Sequence, residues 1–283
     1  MRSILVPVED CAAMDAQLAV AALLARRFDS HVDGVAPFKT FDAYSIGNGV
    51  VGVPADTLDR FERDQEDSIV KARKKFRDVM HDREIAWEDP LKVTGRATAN
   101  WLAHRDGGDQ AIGQLARLYD VTVLARPVSN EIVPREALLE TVLFESGRPI
   151  LISPPRAPTE IGNNIAIAWN GSTESARAIT FAEPFLRRAK DVVILTVEDG
   201  MVAGPQGKEV ERTLQRSGIA VTTRLVRPEG RSIGEAILSE AKQIDADLLV
   251  KGAYTHSRLR QMLFGGATKH ILAKANLPVL MNH

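Results

Sequence analysis

The 283-residue chain has a single cysteine, Cys11, which excludes an intrachain disulfide and any multi-cysteine metal site. Cys11 reads as a small buried or half-buried residue, with a reactive thiol as the alternative because the first turn of a helix lowers a thiol pKa. No segment approaches the roughly 18 consecutive apolar residues of a membrane span, and the apolar run in MRSILVPVED is too short for a secretory signal. A cytoplasmic protein that does not engage membranes is expected. Charge of one sign is also missing: 36 Lys and Arg against 37 Asp and Glu leave a formal net charge of -1, so no global positive field draws the chain to nucleic acid. Aromatic residues make up only 5% of the chain, and Trp87, Trp101 and Trp169 stand apart, as core or interface anchors do and stacking platforms do not. The six histidines include no H-E-x-x-H and no close pair, so no metal site is expected. Ser172 follows Gly171 in WNGST without the G-x-S-x-G arrangement of a nucleophile elbow; Ser172 or Thr173 reads instead as a helix cap, and no catalytic residue is assigned.

What is present describes an ordinary globular α/β protein, 45% hydrophobic and 26% charged, long enough for two domains. ILVPV (4–8) is a parallel strand covered on both faces, with Asp10 as a cap for a helix over 12–28 whose Leu18, Ala22 and Ala25 face inward. A second strand covers 32–38. The stretch 39–56 holds three glycines and little periodicity, as an inserted loop does, and the charged helix 57–80 turns Leu58, Phe61, Ile69, Ala72, Phe76 and Val79 to one side. A short strand near 85–88, a turn or short helix at ATANWLAHR and a helix over 108–119 lead into the strand DVTVLA. The stretch PPRAPTEIGNN, 154–164, reads as a linker.

The order then repeats. IAIAWN (165–170) corresponds to ILVPVE, DVVILTVED to the second strand, and DADLLVKGAY to DVTVLARPV, so the domains expected are 1–155 and 162–283. The segment 245–283 reads as strand, glycine-bearing loop, helix from about Ala267 to Lys274, and a final strand. Its loop leaves the carboxyl end of a strand, where open α/β folds bind ligands, and ends at a helix N-terminus that favours anions. His256, Ser257, Arg258 and Arg260 either meet an anionic ligand there or brace the loop and pair with acids.

The strand ILVPV, the paired endings RPILIS and LPVLM, and above all KGAYTHSRLRQMLFGGATKHILAKANLPVL resemble the universal stress protein family in its tandem form. That resemblance implies two repeated doubly wound, Rossmann-like parallel sheets of five strands in the order 3-2-1-4-5, with the domains pairing through their terminal strands and homodimerisation open. It implies a stress-response protein, with ATP or a related nucleotide bound in the second domain without significant turnover and magnesium only as the nucleotide's companion. The family's pattern, glycine, two residues, glycine, nine residues, glycine and serine or threonine, falls on Gly252, Thr255, Gly265 and Gly266. Thr255 replaces a glycine, and Gly266 lacks the hydroxyl. Ala267 and Thr268 follow, the latter as a displaced substitute hydroxyl, and Asn170 takes the place of the adenine-contacting aspartate, with Glu9 in the first domain. The first domain's final loop, ARPVSNEIVPREALLETV, has no glycine and carries Glu131 and Glu136, so that domain is not expected to bind ATP. The alternative is a regulatory module that binds a protein or small molecule beside a vestigial nucleotide site, using 39–56 with Val50, Val51 and Val53.

Overall fold

The computed structural model describes the chain except for 39–54, 91, 93–94, 104–106, 128–135 and 254–265. The inserted stretch read at 39–56, with Val50, Val51 and Val53, therefore lies outside the described residues apart from its last two. By contacts the chain divides into one unit of Met1–Leu124 with Val133–Arg148 and a second of Ala125–Ile132 with Pro149–His283.

In the first unit, β1 (Ser3–Pro7), β2 (His31–Val35), β3 (Ala86–Trp87), β4 (Thr98–Trp101) and β5 (Val121–Leu124) lie parallel in the order β3-β4-β2-β1-β5. The helices are α1 (Met14–Phe28), α2 (Ala55–Asp82), α3 (Gly108–Leu115) and α4 (Glu136–Glu145). Leu18, Ala22 and Ala25 of α1 are buried, as the periodicity predicts, and so are Ala72 and Phe76 of α2. Helix α1 starts at Met14 after Ala13 with no side-chain cap, so Asp10 does not cap it: three residues separate Asp10 from the first turn. Helix α2 begins at Ala55, inside the stretch read as loop. TANW, within the stretch ATANWLAHR read as a turn or short helix, is a strand. Its register against β2 (His31↔Thr98 to Gly34↔Trp101) supplies ladder bonds that four residues cannot advertise by period. Trp101 then packs on Phe76, with ring centroids 5.6 Å apart.

The second unit carries β6 (Ile150–Ile152), β7 (Asn164–Ala168), β8 (Asp191–Val197), β9 (Thr222–Val226), β10 (Leu248–Gly252) and β11 (Val279–Asn282) in the order β6-β11-β10-β7-β8-β9. Its helices are α5 (Thr173–Leu186), α6 (Gly207–Arg216), α7 (Ile233–Gln243) and α8 (Gly266–Lys274). The expectation of two separate five-stranded parallel sheets in the order 3-2-1-4-5 is overturned. The strands form one 11-stranded mixed sheet, β3-β4-β2-β1-β5-β6-β11-β10-β7-β8-β9, in which β6 runs antiparallel to β11. The physical reason lies in RPILIS and LPVLM: Leu151 and Leu280 pair opposite one another, both fully buried, and two apolar strands that would otherwise each expose a row of backbone groups satisfy one another.

One device recurs. Asp120, just ahead of β5, accepts the backbone N–H groups of Arg2 and Ser3 at the start of β1. Asp247, just ahead of β10, accepts those of Asn163 and Asn164 at the start of β7, at 2.9 and 3.1 Å.

Candidate functional site

In the second unit β7 and β10 are parallel neighbours, with Leu248 beside Ile165 and Lys251 beside Ala168. From β7 the chain moves outward to β8 and β9, then returns to β10 and β11 on the other side. The strand order reverses between β7 and β10, and the crevice outside the carboxyl ends of the strands at such a point is the usual ligand position of open α/β sheets.

The β7 side is built by WNGST. The Trp169 indole Nε1–H donates to Pro205 O at 2.8 Å, and the Val202 N–H donates to Asn170 O at 2.9 Å, so the segment after β8 is fastened over the strand end. Asn170 Oδ1 accepts from the Ser172 N–H (3.2 Å) and the Ser175 hydroxyl (3.0 Å). Gly171 turns the chain at φ +86°, a conformation that favours glycine. Ser172 Oγ accepts the Ser175 N–H at 3.2 Å and caps α5, so of the two caps the sequence offers, Ser172 and Thr173, the first is the one used. Its hydroxyl is thereby spent on the helix end, which leaves the nucleophile reading without support.

The β10 side begins with Gly252. A Cβ built there would lie 2.8 Å from Glu174 Cβ and closer still to the Ser175 nitrogen, so the glycine lets the strand end press against the first turn of α5. Glu174 stands at that contact. Burial pushes its carboxyl up, but hydrogen bonds from its own N–H and from the Thr173 and Ser172 hydroxyls, with His283 nearby, hold it below the usual range. His283 Nδ1 lies 3.2 Å from Ala253 O.

Lys251 faces the opposite way. Its side chain is only 6% exposed, and its Nζ donates to Gly252 O at 2.6 Å and to Thr268 Oγ1 at 2.9 Å. Burial in the sheet disfavours the charged form and brings its pKa down to about 7. Thr268 sits in the first turn of α8 and is buried, so the hydroxyl expected to replace a missing phosphate donor is an acceptor for Lys251. Gly266 is exposed at the start of α8, and a Cβ built there meets nothing within 4 Å; Ala267 is half-buried.

The structure thus brings Asn170 and Gly252 to adjacent strand ends and places Gly266, Ala267 and Thr268 on α8. Thr255, His256, Ser257, Arg258, Arg260 and Gly265 lie outside the described residues. Sequence reasoning missed Lys251, although aligning DLLVK with DVTVL sets it against Leu124. It also missed Arg126, 7% exposed, whose Nε and guanidinium N–H donate to Leu272 O (2.5 Å) and Ile271 O (3.1 Å) at the end of α8; burial lowers its pKa. Among the described residues no group of three His, Cys, Asp or Glu could hold a metal ion, and no helix is long and apolar enough to cross a membrane.

Residues 163–283 match the universal stress protein family. The chain is 27% identical over 149 residues to universal stress protein Slr1230 of Synechocystis, an alignment covering 51% of this chain and 50% of that protein. It is 36% identical over 47 residues to stress response protein NhaX of Bacillus subtilis, covering 17% of this chain and 28% of that one. The chain thus spans half or less of the length of these curated relatives. Among solved structures, a universal stress protein from Archaeoglobus fulgidus shares the fold at a TM-score of 0.69 and 14% identity, over 99% of this chain and 97% of its own. A Pseudomonas aeruginosa protein described as a putative universal stress protein does so at 0.54 and 18%, over 100% and 93%. Residues 163–283 belong to the universal stress protein family, within a chain that shares the α/β fold of a solved universal stress protein along 99% of its length.

Proposed function

We propose that the chain is a stress-response protein that binds ATP or a related nucleotide in the second unit without appreciable turnover. One observation carries this reading: Asn170 and Gly252 stand at the ends of neighbouring strands where the sheet order reverses, and α8 opens at Gly266 in the same unit. The first-turn N–H groups of a helix have no intrahelical acceptors and favour phosphate. Low turnover is expected because the polar side chains at the crevice, Asn170, Ser172, Ser175 and Thr268, are engaged in local hydrogen bonds. A ligand that binds only the native state stabilises it by about 2.7 kcal/mol at a hundredfold excess over Kd. Saturating ATP with magnesium should therefore raise the melting temperature, with little phosphate released over the same hours. Gly266→Ser, which restores a hydroxyl where a side chain has room, should enlarge the shift. No shift with either protein would sink the proposal.

A second reading, a regulatory binding module with a vestigial nucleotide site, is favoured by a different observation. Gly252 is required by its contact with α5, and the Asn170 oxygen by the WNGST turn, so both residues have structural reasons to be where they are. Under that reading ATP leaves the amide exchange of 247–253 and 266–274 unchanged.

A further inference from the structure

The nucleotide reading leaves one group unexplained, a lysine side chain buried in the sheet. Strand β10 reads LLVKG, and its first four residues are buried. Lys251 lies between Ala168 of β7 and Met281 of β11, neither able to balance a charge. On its own face it meets α8 through Thr268; the titratable groups of that helix near its first turn are Lys269 and His270, of the same sign as the lysine when protonated. Glu174 is on the α5 side with Gly252, the other face of the strand, and His283 lies by Ala253. No carboxylate forms an ion pair with Lys251 among the described residues, and two of the three N–H bonds of its ammonium are used, on Gly252 O and Thr268 Oγ1.

Two positive features thus converge. The ammonium stands beneath the first turn of α8, whose dipole is positive at that end, and among the described residues no anion answers either. Protein interiors bear such an arrangement poorly, and an anion in the crevice would relieve both at once.

We propose that Lys251 is the phosphate-recognising cation of this crevice and that binding of a polyphosphate nucleotide draws a proton onto its amine. This rests on the nucleotide reading given above and adds to it which part of the ligand is read and by which side chain. In the free protein the amine is about half neutral at neutral pH, given a pKa of about 7. The bound anion favours the ammonium, so a fraction of a proton that grows towards one as pH rises above 7 is taken up on binding, and affinity declines with rising pH by up to about tenfold per unit.

The test is isothermal titration of the whole protein with the magnesium salt of ATP, whose phosphates stay ionised between pH 7.5 and 8.5, in two buffers of different ionisation enthalpy. The comparison proteins are Lys251→Met, close in volume, and Lys251→Arg, which keeps a charge at all accessible pH. Wild-type protein should bind about three- to tenfold more weakly at pH 8.5 than at 7.5 and take up a fraction of a proton that changes with pH. Lys251→Met should bind weakly with no pH response, tripolyphosphate should compete with ATP, and adenosine should bind far more weakly than either. Wild-type affinity that does not change with pH, full affinity in Lys251→Met, or adenosine as tight as ATP would each overturn the role of Lys251 while leaving nucleotide binding in place. If Lys251→Met does not fold, Lys251→Arg decides: retained binding without proton uptake supports the proposal, and a wild-type pH profile overturns it. Absence of ATP binding by the wild type at both pH values overturns this inference together with the nucleotide reading.

Discussion

The last strand of each repeat starts the same way and ends on opposite chemistry. Asp120 to Leu124 and Asp247 to Lys251 run in step, an aspartate holding the first strand's N–H groups and then three buried residues. The fifth position is 2% exposed in one and 6% exposed in the other, yet it is leucine in the first and lysine in the second. The fold itself is content with leucine there. The amine at the second position is thus a departure from what packing asks, and the departure occurs at the crevice that bears the nucleotide proposal.

Exchanging the two residues breaks this comparison most directly. Leu124→Lys buries an ammonium with nothing to balance it, and a loss of about 3–5 kcal/mol in urea unfolding is expected. Ready tolerance would mean that the position is less enclosed than its burial says. The reverse change, Lys251→Leu, should stabilise the protein by about 2–4 kcal/mol at pH 7, because it removes a buried amine. The sign follows from the titration. The ordinary lysine value is 10.5 and the folded value about 7, so between these the unfolded chain binds more protons. Wild-type stability should therefore rise with pH through that window, by up to about 1.4 kcal/mol per unit, and is lowest below pH 7. A Lys251→Leu protein with the same slope would assign the rise to another group.

Arg126, two residues beyond Leu124, sharpens the contrast from the other end of α8, where its donors meet the carbonyls of Ile271 and Leu272. A cation at a helix C-terminus suits the dipole, whereas Lys251 faces the N-terminus against it. Arg126→Met should cost about 1–2 kcal/mol, with faster amide exchange confined to the last turn of α8. The smallest effect is expected at Ser172→Ala, about 1 kcal/mol from loss of the α5 cap, seen as a lowered denaturation midpoint with an unchanged slope.

Much of the architecture was legible because it rests on long periodic segments. Helix α1 shows its buried stripe in Leu18, Ala22 and Ala25, and the strands β1, β7 and β10 show as apolar runs, the last as far as Val250. The cap at Ser172 was readable because hydroxyls at helix starts have one dominant use. What failed were features fixed by a distant partner. β4 is a strand only because β2 lies beside it, and the merging of ten expected parallel strands into one mixed sheet depends on β6 meeting β11 antiparallel. Asn170 and Gly252 were read for a ligand, whereas the turn and the approach of α5 use them as well. Lys251 escaped because a lysine at a strand end reads as a solvated residue until the burial of its side chain is seen.

The paired aspartates carry a consequence for how the protein comes into being. Ser3 is held by a residue 117 positions further along, and Asn163 by one 84 further along. On a ribosome adding about 5–20 residues per second, the opening strand waits roughly 6–23 s for its keeper to be made. Through that interval the backbone N–H groups that open each repeat lack these carboxylate acceptors, and the latch of each repeat forms only once its second half has been made.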